Sequence, residues 1–173
     1  MTVTGITAPR GLKGVLVADT ELGDVRGLEG FYHYRQYSAP ELAATRTFED
    51  VWYLLFEGHL PTRAEHDAFV AEIAELRSLP DALTPVLTAV GRGARAPLAG
   101  LRTVLSELAA IDGMPATYDA EPAVIRAGAM RMSAAVPVVI AALHRLSLGL
   151  EPLAPRGDLA YAANFRVRPA AYP

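Results

Sequence analysis

Thr47-Phe48-Glu49-Asp50-Val51-Trp52-Tyr53-Leu54-Leu55-Phe56-Glu57-Gly58-His59-Leu60-Pro61-Thr62-Arg63-Ala64-Glu65 is the stretch on which the fold class turns. Thr47 can cap a helix, because its hydroxyl can accept from an early backbone N–H. The helix that follows carries Val51, Trp52, Leu54, Leu55 and Phe56 and ends near Gly58. Thr62-Arg63-Ala64-Glu65 is a capping box, in which the threonine and the glutamate each satisfy an orphan N–H of the other's end of the first turn. It opens a second helix, with Phe69, Val70, Ile73 and Leu76 at mixed three- and four-residue spacing. Two capped, amphipathic helices joined by a short Gly/Pro turn predict a helical body.

Downstream of this stretch the pattern stays helical. Asp81 to about Val90 is a further amphipathic segment, and Gly91 to Pro97 reads as a breaker. Leu98 to Ile111 places Leu101, Val104, Leu105 and Leu108 on one stripe and stops at Asp112-Gly113. The longest segment runs from about Glu121 to Leu148 and ends at Gly149, with Pro137 expected to bend it or to open its hydrogen bonding. A last short helix is predicted around Asp158 to Phe165. Upstream, Ser38-Ala39-Pro40-Glu41 opens a short helix to about Thr45. Before it, Val15 to Thr20 and Phe31 to Tyr37 read as two strands of a β-ribbon, a unit too small to be stable without a body to pack on. The expected organisation is a ribbon over residues 1–37 and a helical body over 38–173, with mostly α architecture.

Composition bounds the function. The chain has 173 residues, 51% of them hydrophobic and 20% charged, enough for a core without disulfides. Cysteine is absent, which excludes a thiol nucleophile, a Cys-ligated zinc and a disulfide framework. A formal net charge of −3 argues against a broad nucleic-acid surface. The N-terminal ten residues lack the basic and apolar regions of a signal peptide, and the apolar run Met132–Leu143 is short for a membrane span. A cytoplasmic protein with no membrane and no nucleic-acid partner is therefore expected.

The residues show no complete active site. His33, His59, His66 and His144 have no metal-ligand spacing, and no metal is expected. His33 reads as a ribbon face residue, His59 as a solvated turn residue, His66 as exposed on a charged helix face, and His144 as a helix-end packing residue. Gly91-Arg92-Gly93 lacks the strand and the third glycine of a dinucleotide loop. Glu72/Glu75 and Glu49/Asp50 read as solvated helix faces.

Four short series nevertheless occur in a telling order. They are Arg10-Gly11-Leu12-Lys13-Gly14-Val15; Tyr34-Arg35-Gln36-Tyr37-Ser38; Glu41-Leu42-Ala43; and Phe48 through Thr62. Together with Pro137–Ala142 and Leu159–Phe165, they resemble the citrate synthase and 2-methylcitrate synthase family, in its N-terminal portion. Gln36 departs from the glycine usual in the ribbon, and residues 92–120 match poorly. The resemblance implies a multi-helical large-domain fold, a homodimer, and condensation of acetyl-CoA or propionyl-CoA with oxaloacetate. The coenzyme A thioester is then a substrate, and no cofactor is bound permanently. The family's catalytic Asp and His lie in motifs such as His-Gly-Gly and Gly-His-Arg, neither of which occurs here. The resemblance therefore transfers no catalytic residue to this chain. It implies one binding residue, Arg10, placed to reach a coenzyme A phosphate on the neighbouring subunit; Tyr34 and Arg35 are read as structural. The chain is expected to be the front part of such an enzyme, inactive alone. The alternative is a naturally half-length homologue that acts as a structural or regulatory partner, or joins a polypeptide carrying the C-terminal catalytic half. A generic helical interaction domain is the third possibility.

Overall fold

A computed structural model describes residues 9–12, 14–16, 18–93 and 97–166. They divide into two compact units, Met1–Thr45 and Arg46–Pro173.

The first unit is an antiparallel three-stranded sheet followed by a helix. Strands β1 (Gly23–Arg26), β2 (Phe31–Tyr34) and β3 (Tyr37–Ser38) pair in sequence order, with Asp24 opposite His33 and Val25 opposite Tyr32. Helix α1 spans Ala39–Thr45. The second expected strand, Phe31 to Tyr37, is two strands, β2 and β3, folded back on each other at Arg35-Gln36, and the first is not a strand where described. The described residues of Val15–Thr20 are irregular, and β1 lies further on. Thr20 explains the displacement: its hydroxyl accepts the Leu22 N–H at 3.1 Å, turning the chain just before β1. Gly23 then crosses β2 so closely that a Cβ would stand 2.4 Å from the His33 carbonyl oxygen. The β2–β3 turn puts Arg35 at φ 53°, in the left-handed region that favours glycine.

The second unit is all helical among the described residues: α2 (Phe48–Glu57), α3 (Arg63–Leu76), α4 (Thr84–Gly93), α5 (Pro97–Ile111), α6 (Pro122–Ser147) and α7 (Tyr161–Arg166). Both predicted caps form. The Thr47 and Thr62 hydroxyls accept from the Asp50 and Glu65 N–H groups, and those carboxylates reach back to the cap N–H groups. Gly58 closes α2 at φ 87°, its N–H donating to the Leu54 carbonyl.

Helix α6 is the spine. Its buried Ala135, Val139, Ala142, Leu143 and Leu146 pack with Leu83, Leu87, Val104 and Leu108 in one cluster. Its Met130 and Ala134 pack with Trp52, Phe69 and Ile73 in a second. This helix is long and apolar enough to cross a membrane by length and composition alone, a test that core helices also pass. Its charges are answered within the unit: Arg126 binds Glu57 and Glu72, and Arg131 binds Asp112.

Of the expected breaker Gly91–Pro97, Gly91 to Gly93 complete α4, Pro97 opens α5, and residues 94–96 lie outside the described residues. Gly91 is buried in α4, where a Cβ would stand 2.6 Å from the Leu146 Cβ. Here glycine serves close helix–helix approach. Pro137 lies inside α6 without ending it. Proline lacks the N–H that would bond the carbonyl four residues earlier. That carbonyl belongs to Ser133, and it accepts the Tyr161 hydroxyl at 2.8 Å.

Candidate functional site

Arg10 lies in a single 3₁₀ turn, Arg10–Leu12, and is exposed. Gly11 follows at φ 72°. Among the described residues Arg10 has no recorded ion-pair or hydrogen-bond partner. Its five N–H donors are therefore open to an anion, which is the chemistry a phosphate needs.

The four histidines do not converge on one centre. His33 packs against Phe31 within the ribbon, the rings tilted by 55° with centroids 4.2 Å apart. His59 sits in the α2–α3 turn, its ring nitrogens 3.3 Å from the Glu57 carbonyl and 3.4 Å from a Glu65 carboxylate oxygen. The Glu65 carboxyl is held at about 2 by hydrogen bonds from the Thr62 N–H and hydroxyl, then from His59. His144 lies in the last turn of α6, where its carbonyl accepts the Ser147 hydroxyl. No group of three or more metal-ligating side chains occurs among the described residues.

His66 departs from its predicted exposure. It is half-buried, with Nδ1 2.8 Å from Asp50 Oδ1. The pair borders a groove of about 470 Å³ at the starts of α2 and α3, together with Arg46, Thr47, Thr62 and Arg63. Burial pushes the Asp50 carboxyl up, but hydrogen bonds from the Thr47 N–H and from His66 outweigh it and leave it below its ordinary value. Asp50 Oδ2 is taken by the Thr47 N–H at 3.1 Å. A carboxylate so engaged fixes the imidazole and the cap; it is not a free base.

Glu49 also departs from prediction. It is 5% exposed, and its carboxylate accepts the Tyr161 N–H at 2.7 Å. Arg77, the residue after α3, is 2% exposed; its Nη1 donates to the Leu159 carbonyl at 3.0 Å and its guanidinium lies 5.5 Å from the centre of the Tyr161 ring. Asn164 accepts the Arg156 N–H and donates to the Arg156 carbonyl. Sequence reading missed this buried polar group, since Glu49 and Tyr161 are 112 positions apart. Local sequence carried no signal for it, because an arginine directly after a helix is ordinarily a solvated cation at the helix end.

An apolar cleft of about 860 Å³ lies between the α5–α6 connection and the first half of α6, walled by Met114, Pro115, Val124, Ile125, Gly128 and Met132. Arg92 of the Gly91–Gly93 segment pairs with Glu151 at 3.1 Å, and Glu72 with Arg126 at 2.9 Å, so neither forms a catalytic set.

Comparison with known proteins gives these features a context. Residues 11–168 match the family described as "Citrate synthase, C-terminal domain". The chain is 37% identical to the citrate synthase of Haloferax volcanii over 90% of its own length and 41% of the relative. It is equally, 37%, identical to the 2-methylcitrate synthase of Mycobacterium tuberculosis over 90% of its length and 38% of the relative. The crystal structure of citrate synthase from Pyrobaculum aerophilum superposes with a TM-score of 0.81 at 31% identity, covering 92% of this chain and 41% of that one. That from Thermotoga maritima gives 0.77 at 28% identity, covering 92% and 40%. The chain thus spans about two fifths of the length of the curated relatives it matches.

Proposed function

The chain belongs to the citrate synthase family, and from that premise we propose that it forms the helical front portion of a citrate or 2-methylcitrate synthase. In this reading, the enzyme's base removes a proton from the α-carbon of acetyl-CoA or propionyl-CoA. The resulting enolate attacks the keto carbon of oxaloacetate. Water then cleaves the thioester, releasing citrate or 2-methylcitrate and the coenzyme A thiol. The observation that carries the proposal is the continuous match over residues 11–168. Relatives of both specificities are 37% identical, so the acyl group is left as acetyl or propionyl.

The residues present support a division of labour. Helices α2 to α7 are a packed framework, and among the described residues none of their acid–base groups is both free and clustered. Arg10 has the open guanidinium that a coenzyme A phosphate requires. The base, the enolate donor and the oxaloacetate clamp come from polypeptide beyond this set of residues, either in the same chain or in a separately encoded half. A homodimer built on α6 fits its exposed Val124, Ile125 and Ile140.

A thiol-release assay tests this. Residues 1–173, freed of host citrate synthase, should release no coenzyme A thiol from acetyl-CoA or propionyl-CoA with oxaloacetate. General acid–base catalysis alone contributes typically 10²–10⁴-fold, and those groups are not assembled here. Adding a polypeptide that carries the His-Gly-Gly and Gly-His-Arg motifs should restore turnover. Oxaloacetate-dependent turnover by residues 1–173 alone, or no turnover with any completing polypeptide, would overturn the proposal.

A further inference from the structure

Arg77 is enclosed by α3, α6 and α7, yet only part of its hydrogen-bonding capacity is used. Nη1 donates to the Leu159 carbonyl, whereas Nε and Nη2 are buried without a partner among the described residues. A buried donor left unpaired forfeits its hydration with nothing in return, so such groups in native proteins have an acceptor. The acceptor need not be charged. Burial lowers the Arg77 pKa, and the nearby Glu49 carboxylate raises it, acting as the counter-charge.

Beside the guanidinium lies a cavity of about 10 Å³, walled by Arg77, Pro137, Val138, Tyr161, Asn164 and Phe165. A polar cavity of roughly 10–15 Å³ holds one water, provided two or more polar partners face it. It is too small for an oxyanion. Two of the lining residues, Tyr161 and Asn164, carry oxygens with lone pairs to spare. The Tyr161 hydroxyl spends its hydrogen on the Ser133 carbonyl and keeps its oxygen lone pairs. Asn164 Oδ1 accepts the Arg156 N–H and has a second lone pair.

We propose that this cavity is a binding site for one structural water, which accepts from Arg77 Nε and Nη2 and donates to Tyr161 and Asn164. The water completes the polar plug that seats α7 against α3 and α6. It explains why an arginine, not an apolar residue, is buried at this position. The site does not depend on the proposed function.

The test exploits opposite signs. In a dry cavity, the extra methyl of Val138→Ile fills space and raises Tm. In a water site, it expels the water and strands two N–H donors, lowering Tm by about 2–4 °C or more. The expected result is a lower Tm in the otherwise unchanged chain. In an Arg77→Met background, where the donors are gone, the same substitution should leave Tm unchanged or raise it. A crystal structure of the full chain gives an independent reading, even should Arg77→Met not fold: an ordered water within about 3 Å of Nε or Nη2 is expected. A rise in Tm on Val138→Ile, or a cavity seen dry with Arg77 in place, would overturn the assignment.

Discussion

Single side chains decide how the helix starts are built and how they respond to acid. Thr47→Ala removes the acceptor for the Asp50 N–H and should cost about 1 kcal/mol in chemical denaturation. Asp50 couples that cap to His66. Its carboxyl is held below the ordinary value of 3.8, the raising effect of burial being outweighed by the Thr47 N–H and His66. A depressed carboxylate stabilises the fold fully above its unfolded pKa, and that contribution fades as pH falls through the folded value. Asp50→Asn should therefore be destabilised at pH 7 and show a weaker loss of stability between about pH 4 and pH 2 than the parent. Denaturation midpoints across that range check it; a parallel offset at every pH would remove Asp50 from the acid response.

At the scale of elements, α6 shows how one defect is matched by a distant group. Pro137 frees the Ser133 carbonyl, and Tyr161 of α7 supplies the missing hydrogen bond. Tyr161→Phe should strand that carbonyl and cost about 1–3 kcal/mol. Pro137→Ala restores an N–H at the right offset, so Tyr161→Phe should cost less in that background; equal costs in a double-mutant cycle would refute the pairing. The α4–α6 contact is the second sensitive element. Gly91→Ala places a methyl 2.6 Å from the Leu146 Cβ and should destabilise by about 1–3 kcal/mol. Shortening Leu146 in the same chain should recover part of that loss, because Leu146 Cδ1 and Cγ also crowd the site at 2.7 and 3.2 Å.

For the whole molecule, the predictions concern completion and assembly. In an enzyme restored by the missing half, Arg10→Ala should raise the KM for acetyl-CoA about tenfold to a hundredfold, matching about 1.5–3 kcal/mol for a charge-assisted contact. Oxaloacetate affinity should hardly move. An unchanged acetyl-CoA KM would reduce Arg10 to a surface residue. The 860 Å³ cleft and the exposed Val124, Ile125 and Ile140 leave apolar surface open along α6. Sedimentation is expected to find a dimer or larger species; a monomer that binds no hydrophobic dye would remove α6 as an assembly surface.

Features with local causes were legible from the amino-acid order. Thr47, Thr62 and Gly58 set helix ends through bonds within one turn, so α2 and α3 were legible from residue types alone. The apolar stripes of α5 and α6 predicted their burial because a helical period fixes which side chains share a face. The ordered motifs, from Arg10 to Phe165, identified the family before any contact was known. Features that require two distant segments were not legible. Val15–Thr20 has strand composition, yet the Thr20 turn and the Gly23 crossing hand β1 to Gly23–Arg26. Gly91 looks like a breaker until Leu146 is seen against it. Glu49 and His66 look solvated because α7 and Asp50, which cover them, lie far along the chain or on another helix. Nothing in local sequence encodes the environment of Arg77, whose burial arises only when α3, α6 and α7 close around it. Tertiary structure alone decided these cases, because desolvation and carbonyl satisfaction depend on which surfaces meet.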